Sequence, residues 1–188
     1  TATPTATTTA TATPAPVRNP TPPGRDLYVL TQRLVLRSTE PIPTVVNAQP
    51  TSYLQGRSDT FNVLNIVTNQ VYPVNATLHL VTDHAYWYVD TEASVSGTAI
   101  GIAAGVFETQ IYPRVTSVFG REWVPGVDGD PHLTILHTPI EGAAGYFSSA
   151  DEYTTLVNPL SNQREMIYIS SRGLRRITAS YLSTLAHE

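Results

Sequence analysis

Short gaps between strand-like runs constrain the first half of this chain more than any other feature. Thr68-Asn69-Gln70 separates the run Phe61 to Ile66 from Val71 to Leu80, and Asp83-His84 separates the latter from Ala85-Tyr86-Trp87-Tyr88-Val89. Each run is rich in β-branched and aromatic residues, which favour strands. Parallel neighbours need a connection of a dozen residues or more, so runs joined by such tight turns must pair antiparallel, as a meander. Phe61, Val63 and Asn65 alternate with Asn62, Leu64 and Ile66, and Val74, Ala76, Leu78 and Leu80 share one face. Two earlier apolar runs, Leu27 to Leu30 and Arg33 to Arg37, precede a loop punctuated by Pro41, Pro43 and Pro50. The expectation for residues 26–92 is an antiparallel β module of five or six strands.

The period changes near residue 93. Val95, Ala99, Ile102, Ala103, Val106, Phe107, Ile111, Val115, Val118 and Phe119 recur at three- and four-residue steps, which is helical spacing. Gly97, Gly101 and Gly105 fall on roughly one face, where another element could approach closely. Pro113 is expected to kink or split the helix and Gly120 to stop it. A turn-rich loop covers residues 124–131. Strands are expected at His132 to His137 and Glu165 to Ile169, with a short edge strand or loop at Gly145 to Ser149. Ile177, Tyr181, Leu182 and Leu185 define a final helix, capped by Thr178 or Ser180 and ending in Ala186-His187-Glu188. The fold class expected is α+β.

Ahead of this body, residues 1–23 hold 6 Pro, 9 Thr and 5 Ala, with Arg18 the one charged residue. Such a stretch has too little apolar surface to offset its ordering entropy and reads as an extended arm or linker over residues 1–25. Thr3, Thr5, Thr7, Thr8, Thr9, Thr11, Thr13 and Thr21 are candidate O-glycosylation sites, and the arm is a candidate for self-association. With no Cys among 188 residues, disulfides and Cys-ligated metals are excluded. The net charge of −4 gives no basic footprint for nucleic acid, and no apolar run is long enough for a transmembrane helix. An acidic, Cys-free chain behind a Thr/Pro spacer fits a bacterial secreted or cell-surface protein. Lacking an initiator Met, it reads as a mature or excised piece.

The terminal Leu185-Ala186-His187-Glu188 carries the strongest chemical signal. In H-E-x-x-H the two His lie on one helical face and bind Zn²⁺, and the Glu takes a proton from the metal-bound water. An isolated His-Glu pair is weak, but its setting strengthens it: long helix, strand, Gly-rich edge segment, strand, then a helix ending in the pair. Gly126 to Leu136, Gly145 to Tyr153, Asn158 to Met166 and Tyr181 to Glu188 resemble segments of secreted bacterial metallopeptidases of the hyicolysin-like, gluzincin type. The resemblance covers residues 93–188 well and 26–92 loosely. It implies the N-terminal half of a zincin-like domain over residues 93–188, with His187 the first zinc ligand and Glu188 the general base. The second His and third ligand of the family pattern lie beyond Glu188. Zinc and a peptide or protein substrate are therefore expected of a full-length relative, and no zinc binding or catalysis of this chain alone.

Other candidates have plainer readings. Asp128 and Asp130 lie two apart as in calcium loops, but the rest of an EF-hand is missing, so a turn is preferred. His132 and His137 fall on opposite strand faces and cannot form a joint metal pair. His79 and His84 flank a turn without a carboxylate pattern. Asp151-Glu152 could be an acid–base pair, though a capping or solvated pair is preferred. Ser148-Ser149 lacks the nucleophile elbow of a Ser hydrolase. Tyr86, Trp87 and Tyr88 could line a glycan or peptide groove, although Trp87 opposes both Tyr on a strand. The alternative to the peptidase reading is an extracellular filament subunit, assembling through its arm and exposed β-strand edges.

Overall fold

The short turns produce the pairings they dictate. In a computed structural model, residues 25–47, 52–175 and 177–188 are described. β1 (Ser58–Asn65) pairs antiparallel with β2 (Gln70–Val81), which pairs antiparallel with β3 (Ala85–Asp90) past a bulge between Leu78 and Leu80. The long connection after β3 allows the opposite sense. β4 (Leu133–Thr138) lies parallel to β3, and β6 (Met166–Ser170) parallel to β4. β5 (Gly145–Phe147) adds antiparallel to β6, giving one mixed sheet in the order β1-β2-β3-β4-β6-β5. The expected division at residue 92/93 thus falls between two strands that are neighbours in this sheet.

The sheet is curled and buries both faces of its centre. Trp87, Ile135 and Ile167 sit side by side on β3, β4 and β6. They pack with Ile100, Phe107 and Leu185 in one cluster. Tyr88, Leu136 and Tyr168 point the other way and pack with Phe61, Leu78 and Met166. The curl brings β1 to residues beyond β4: the Leu64 N–H donates to Tyr146 Oη (2.9 Å) and the Asn62 N–H to Asn162 Oδ1 (2.7 Å). These outward N–H groups of β1 are thereby taken up within the chain. Tyr86, Trp87 and Tyr88 are all 0% exposed, so they are core and line no surface groove.

The early apolar runs are helical, not strands. α1 (Leu27–Leu30) continues as a π-helical turn over Thr31–Leu36. Asp26 Oδ1 accepts the Val29 N–H (3.1 Å), which starts a helix. Residues 58–90 therefore supply three strands where five or six were expected over 26–92.

The second helical body is α2 (Gly97–Val106), a π turn over Phe107–Ile111, and α3 (Tyr112–Phe119). Pro113 has no N–H to continue the regular ladder. Before it the Tyr112 N–H reaches back five residues to the Phe107 carbonyl. The extra residue in this turn rotates the buried face. Beyond it Tyr112 is buried, while Val118 and Phe119, expected inside, are 70% and 84% exposed; ahead of the turn, Ile100 and Ala104 are buried and Ile102, also expected inside, is 53% exposed. Gly97, Gly101 and Gly105 face open space, with nothing within 4 Å of a side chain placed there. Gly120, at φ +91°, ends α3 as expected. α4 (Ala179–His187) is capped by Thr178, whose Oγ1 accepts the Tyr181 N–H (3.1 Å), and buries Tyr181 and Leu185. Among the described residues no helix is long and apolar enough to cross a membrane. The Thr-rich segment and its candidate glycosylation sites lie outside the described residues.

Candidate functional site

Three parts of the fold meet around a cleft of about 280 Å³. The body α2–α3 supplies Phe107, Ile111 and Val115, and the sheet supplies Leu133, Phe147 and Ile167. α4 closes the cleft with Leu185, Ala186 and, at its C-terminal cap, Glu188. Its ionisable carboxyls are Glu122, Glu152, Glu165 and Glu188, and no Arg or His among the described residues lines it. Glu122 already accepts from Tyr112 Oη (2.7 Å).

Glu165 is the unusual member. It immediately precedes β6 and is only 4% exposed. Its Oε1 accepts the Val127 N–H (3.0 Å), whereas Oε2 is buried without a hydrogen-bond partner. Burial pushes its carboxyl up to about 7, with Asp128 and Glu152 adding repulsion and the Val127 N–H opposing them. The loop makes room for it at Gly126, which has φ +83°; a Cβ there would collide with the Glu165 carboxyl. Gly126→Ala is therefore expected to destabilise the protein by about 2–4 kcal/mol, combining backbone strain with overpacking against Glu165. Urea denaturation checks this, and a loss below about 0.5 kcal/mol would show the loop to be adaptable.

The two motif residues part company at the helix end. Glu188 is partly buried and faces the cleft, its N–H bonded to the Thr184 carbonyl (3.1 Å). His187 is exposed and is not among the lining residues. Among the described residues no three His, Asp or Glu side chains are grouped to hold a metal ion. Three protein ligands are the usual minimum for a zinc site, and His187 and Glu188 are not joined by a third among the described residues.

The remaining candidates are accounted for by packing. His137 is fully buried and stacks near Trp87, with Nδ1 3.2 Å from the Tyr88 carbonyl and Nε2 3.0 Å from Tyr181 Oη. Burial lowers it to about 4, so it is neutral at pH 7. His132 lies on the opposite face, bonded to Asp130 and against the Tyr86 ring. His84 pairs with Glu108 (2.6 Å) and stacks on Tyr112, while His79 is exposed. Asp128 takes the Asp130 N–H and the Tyr53 hydroxyl, and Asp130 takes the Tyr86 hydroxyl.

Asp151 and Glu152 separate. Asp151 is buried, accepting from Tyr168 Oη (2.7 Å) and the Asn162 N–H (2.8 Å), while Glu152 lines the cleft. Asp151 thus caps a backbone N–H, as the capping half of the preferred reading has it, but from a buried position rather than as one of a solvated pair. Glu165 and Gly126 went unrecognised as site residues in the sequence. The one signal there was a carboxylate opening an otherwise apolar strand. No family model and no curated protein matches the chain.

Proposed function

We propose that this chain is the N-terminal part of a hyicolysin-like peptide hydrolase, secreted or held at a bacterial cell surface. The observation that carries this reading is the delivery of Glu188 by α4 into an apolar cleft bordered by β5. β5 ends the sheet order and has no outer strand neighbour among the described residues. An extended peptide can add to such an edge by main-chain hydrogen bonds. A scissile peptide aligned along β5 would pass the Glu188 carboxylate, which then serves as general base. A zinc ion would supply electrophilic assistance only in a protein that adds ligands to His187.

The test is to read the coding sequence past Glu188 and measure zinc content and peptide cleavage with and without the added segment. The expected result is a His three residues beyond Glu188, with chelator-sensitive cleavage that Glu188→Gln lowers by about 10²–10⁴-fold. The 188-residue chain alone is expected to take up no stoichiometric zinc and to cleave nothing. A coding sequence without that His removes the reading.

The second reading, an extracellular assembly subunit, draws on the same unpaired edge of β5 and on Phe147 and Phe119, which are 46% and 84% exposed. Edge-to-edge pairing of copies would cover the edge of β5, on which Phe147 lies. Light scattering that shows only monomers at high concentration removes it.

A further inference from the structure

We propose that the proline-rich stretch Arg18-Asn19-Pro20-Thr21-Pro22-Pro23 docks, within its own chain, in an aromatic groove beside α1. Docking there does not depend on peptide hydrolysis in the neighbouring cleft.

The groove, of about 300 Å³, is lined by Tyr28 of α1, Thr44, Trp123, Glu152 and Tyr153. The Tyr28 and Tyr153 rings lie 5.7 Å apart, and Trp123 is 45% exposed. Proline-rich stretches favour the polyproline II conformation, and their rings pack into aromatic-lined grooves at low entropic cost. That helix has three residues per turn, so the rings of Pro20 and Pro23 meet the same wall.

Charge complementarity is a second, independent support. Glu152 is the one charged side chain that lines the groove. Burial and repulsion from Asp151 raise its carboxyl above the usual range, with no hydrogen bond opposing them. Arg18 is the one charged residue among residues 1–23. Its guanidinium supplies the cation that this carboxyl lacks, and with it donors for a charge-assisted hydrogen bond.

The position of the stretch along the chain selects it over a separate partner. The described chain starts at Arg25, three residues before Tyr28, and Pro23 stands two residues before Arg25. The stretch therefore enters beside the groove. So short a tether gives it an effective concentration on the order of millimolar, against which any separate proline-rich chain must compete.

The experiment is limited trypsin digestion of the full chain at pH 8, following release of residues 1–18 by mass spectrometry. Trypsin cuts after Arg18 only while the stretch is undocked, so the rate reports the undocked population. A synthetic peptide of residues 13–23 gives the unprotected rate. Cleavage of the chain is expected to be about tenfold slower than cleavage of the peptide. Trp123→Ala and Glu152→Gln should each bring it to within about twofold of the peptide. Leu54→Ala, at a site that is 78% exposed and does not line the groove, should leave it slow. Circular dichroism confirms that each variant is folded, and either groove variant alone suffices. A chain cut as fast as the peptide overturns the proposal, and so does protection that survives both groove substitutions. Protection that grows with protein concentration assigns the groove to the arm of a second copy and overturns docking within one chain.

Discussion

Glu165→Gln is expected to stabilise the protein at pH 8 by about 2–3 kcal/mol and to change little near pH 4. The Glu165 carboxyl is raised from 4.5 to about 7 in the folded protein. Between those values the folded state holds a proton that the unfolded state has released. Its contribution is therefore fully present below 4.5 and lost as pH rises through 7. Gln imitates the protonated side chain at every pH and escapes the loss.

His137 acts in the opposite sense. Burial lowers it from 6.5 to about 4, so the unfolded state takes up a proton in that range and the folded state does not. Its contribution is present above 6.5 and lost as pH falls toward 4. The two slopes oppose each other between 4.5 and 6.5, the span common to both groups. Urea denaturation at half-unit steps from pH 4.5 to 8 separates them. Glu165→Gln should uncover a loss of stability on acidification, and His137→Gln a loss toward neutral pH. A Glu165→Gln curve parallel to wild type would show that this carboxyl does not titrate as its burial implies.

Trp87→Ala is expected to cost about 3–5 kcal/mol, a large share of the stability of a domain of this size. Trp87 is 0% exposed in the middle of β3. Phe107 meets its ring edge-on at 5.7 Å, His137 stacks at 5.7 Å, and Nε1 donates to Thr82 Oγ1 (3.2 Å). The sheet backbone on one side and the π turn on the other hold the walls of the resulting cavity apart. Phe119→Ala is the control. At 84% exposure the same kind of truncation should change stability by no more than about 0.5 kcal/mol. Denaturant midpoints followed by circular dichroism decide both. Equal effects would mean that α3 is packed differently from its exposure here.

Elements whose reason is local were legible. The meander followed from turn length, the break at Pro113 from a missing N–H, the stop at Gly120 from its positive φ, and the start of α4 from the Thr178 hydroxyl. Helix α1 was missed because its apolar runs resemble strands, and the Asp26 cap outweighed them. The inward face of α3 was misplaced because one π turn shifts every later residue, Val118 and Phe119 included, relative to a regular period.

The candidate site divides in the same way. Glu188 was marked by its motif and does face the cleft, whereas nothing local distinguishes Glu165. Its character comes from Gly126, Val127 and Asp128 on one loop and Glu152 on another, all brought to the start of β6 by the fold. By itself, then, the sequence determined which segments could be strands or helices and where they must turn, because those choices depend on neighbours along the chain. Only the tertiary structure decided that β3 and β4 run side by side in parallel, and that a carboxyl beside Glu188's cleft is dry and half unsatisfied. Pairing across a long connection and desolvation both depend on groups that are distant in sequence.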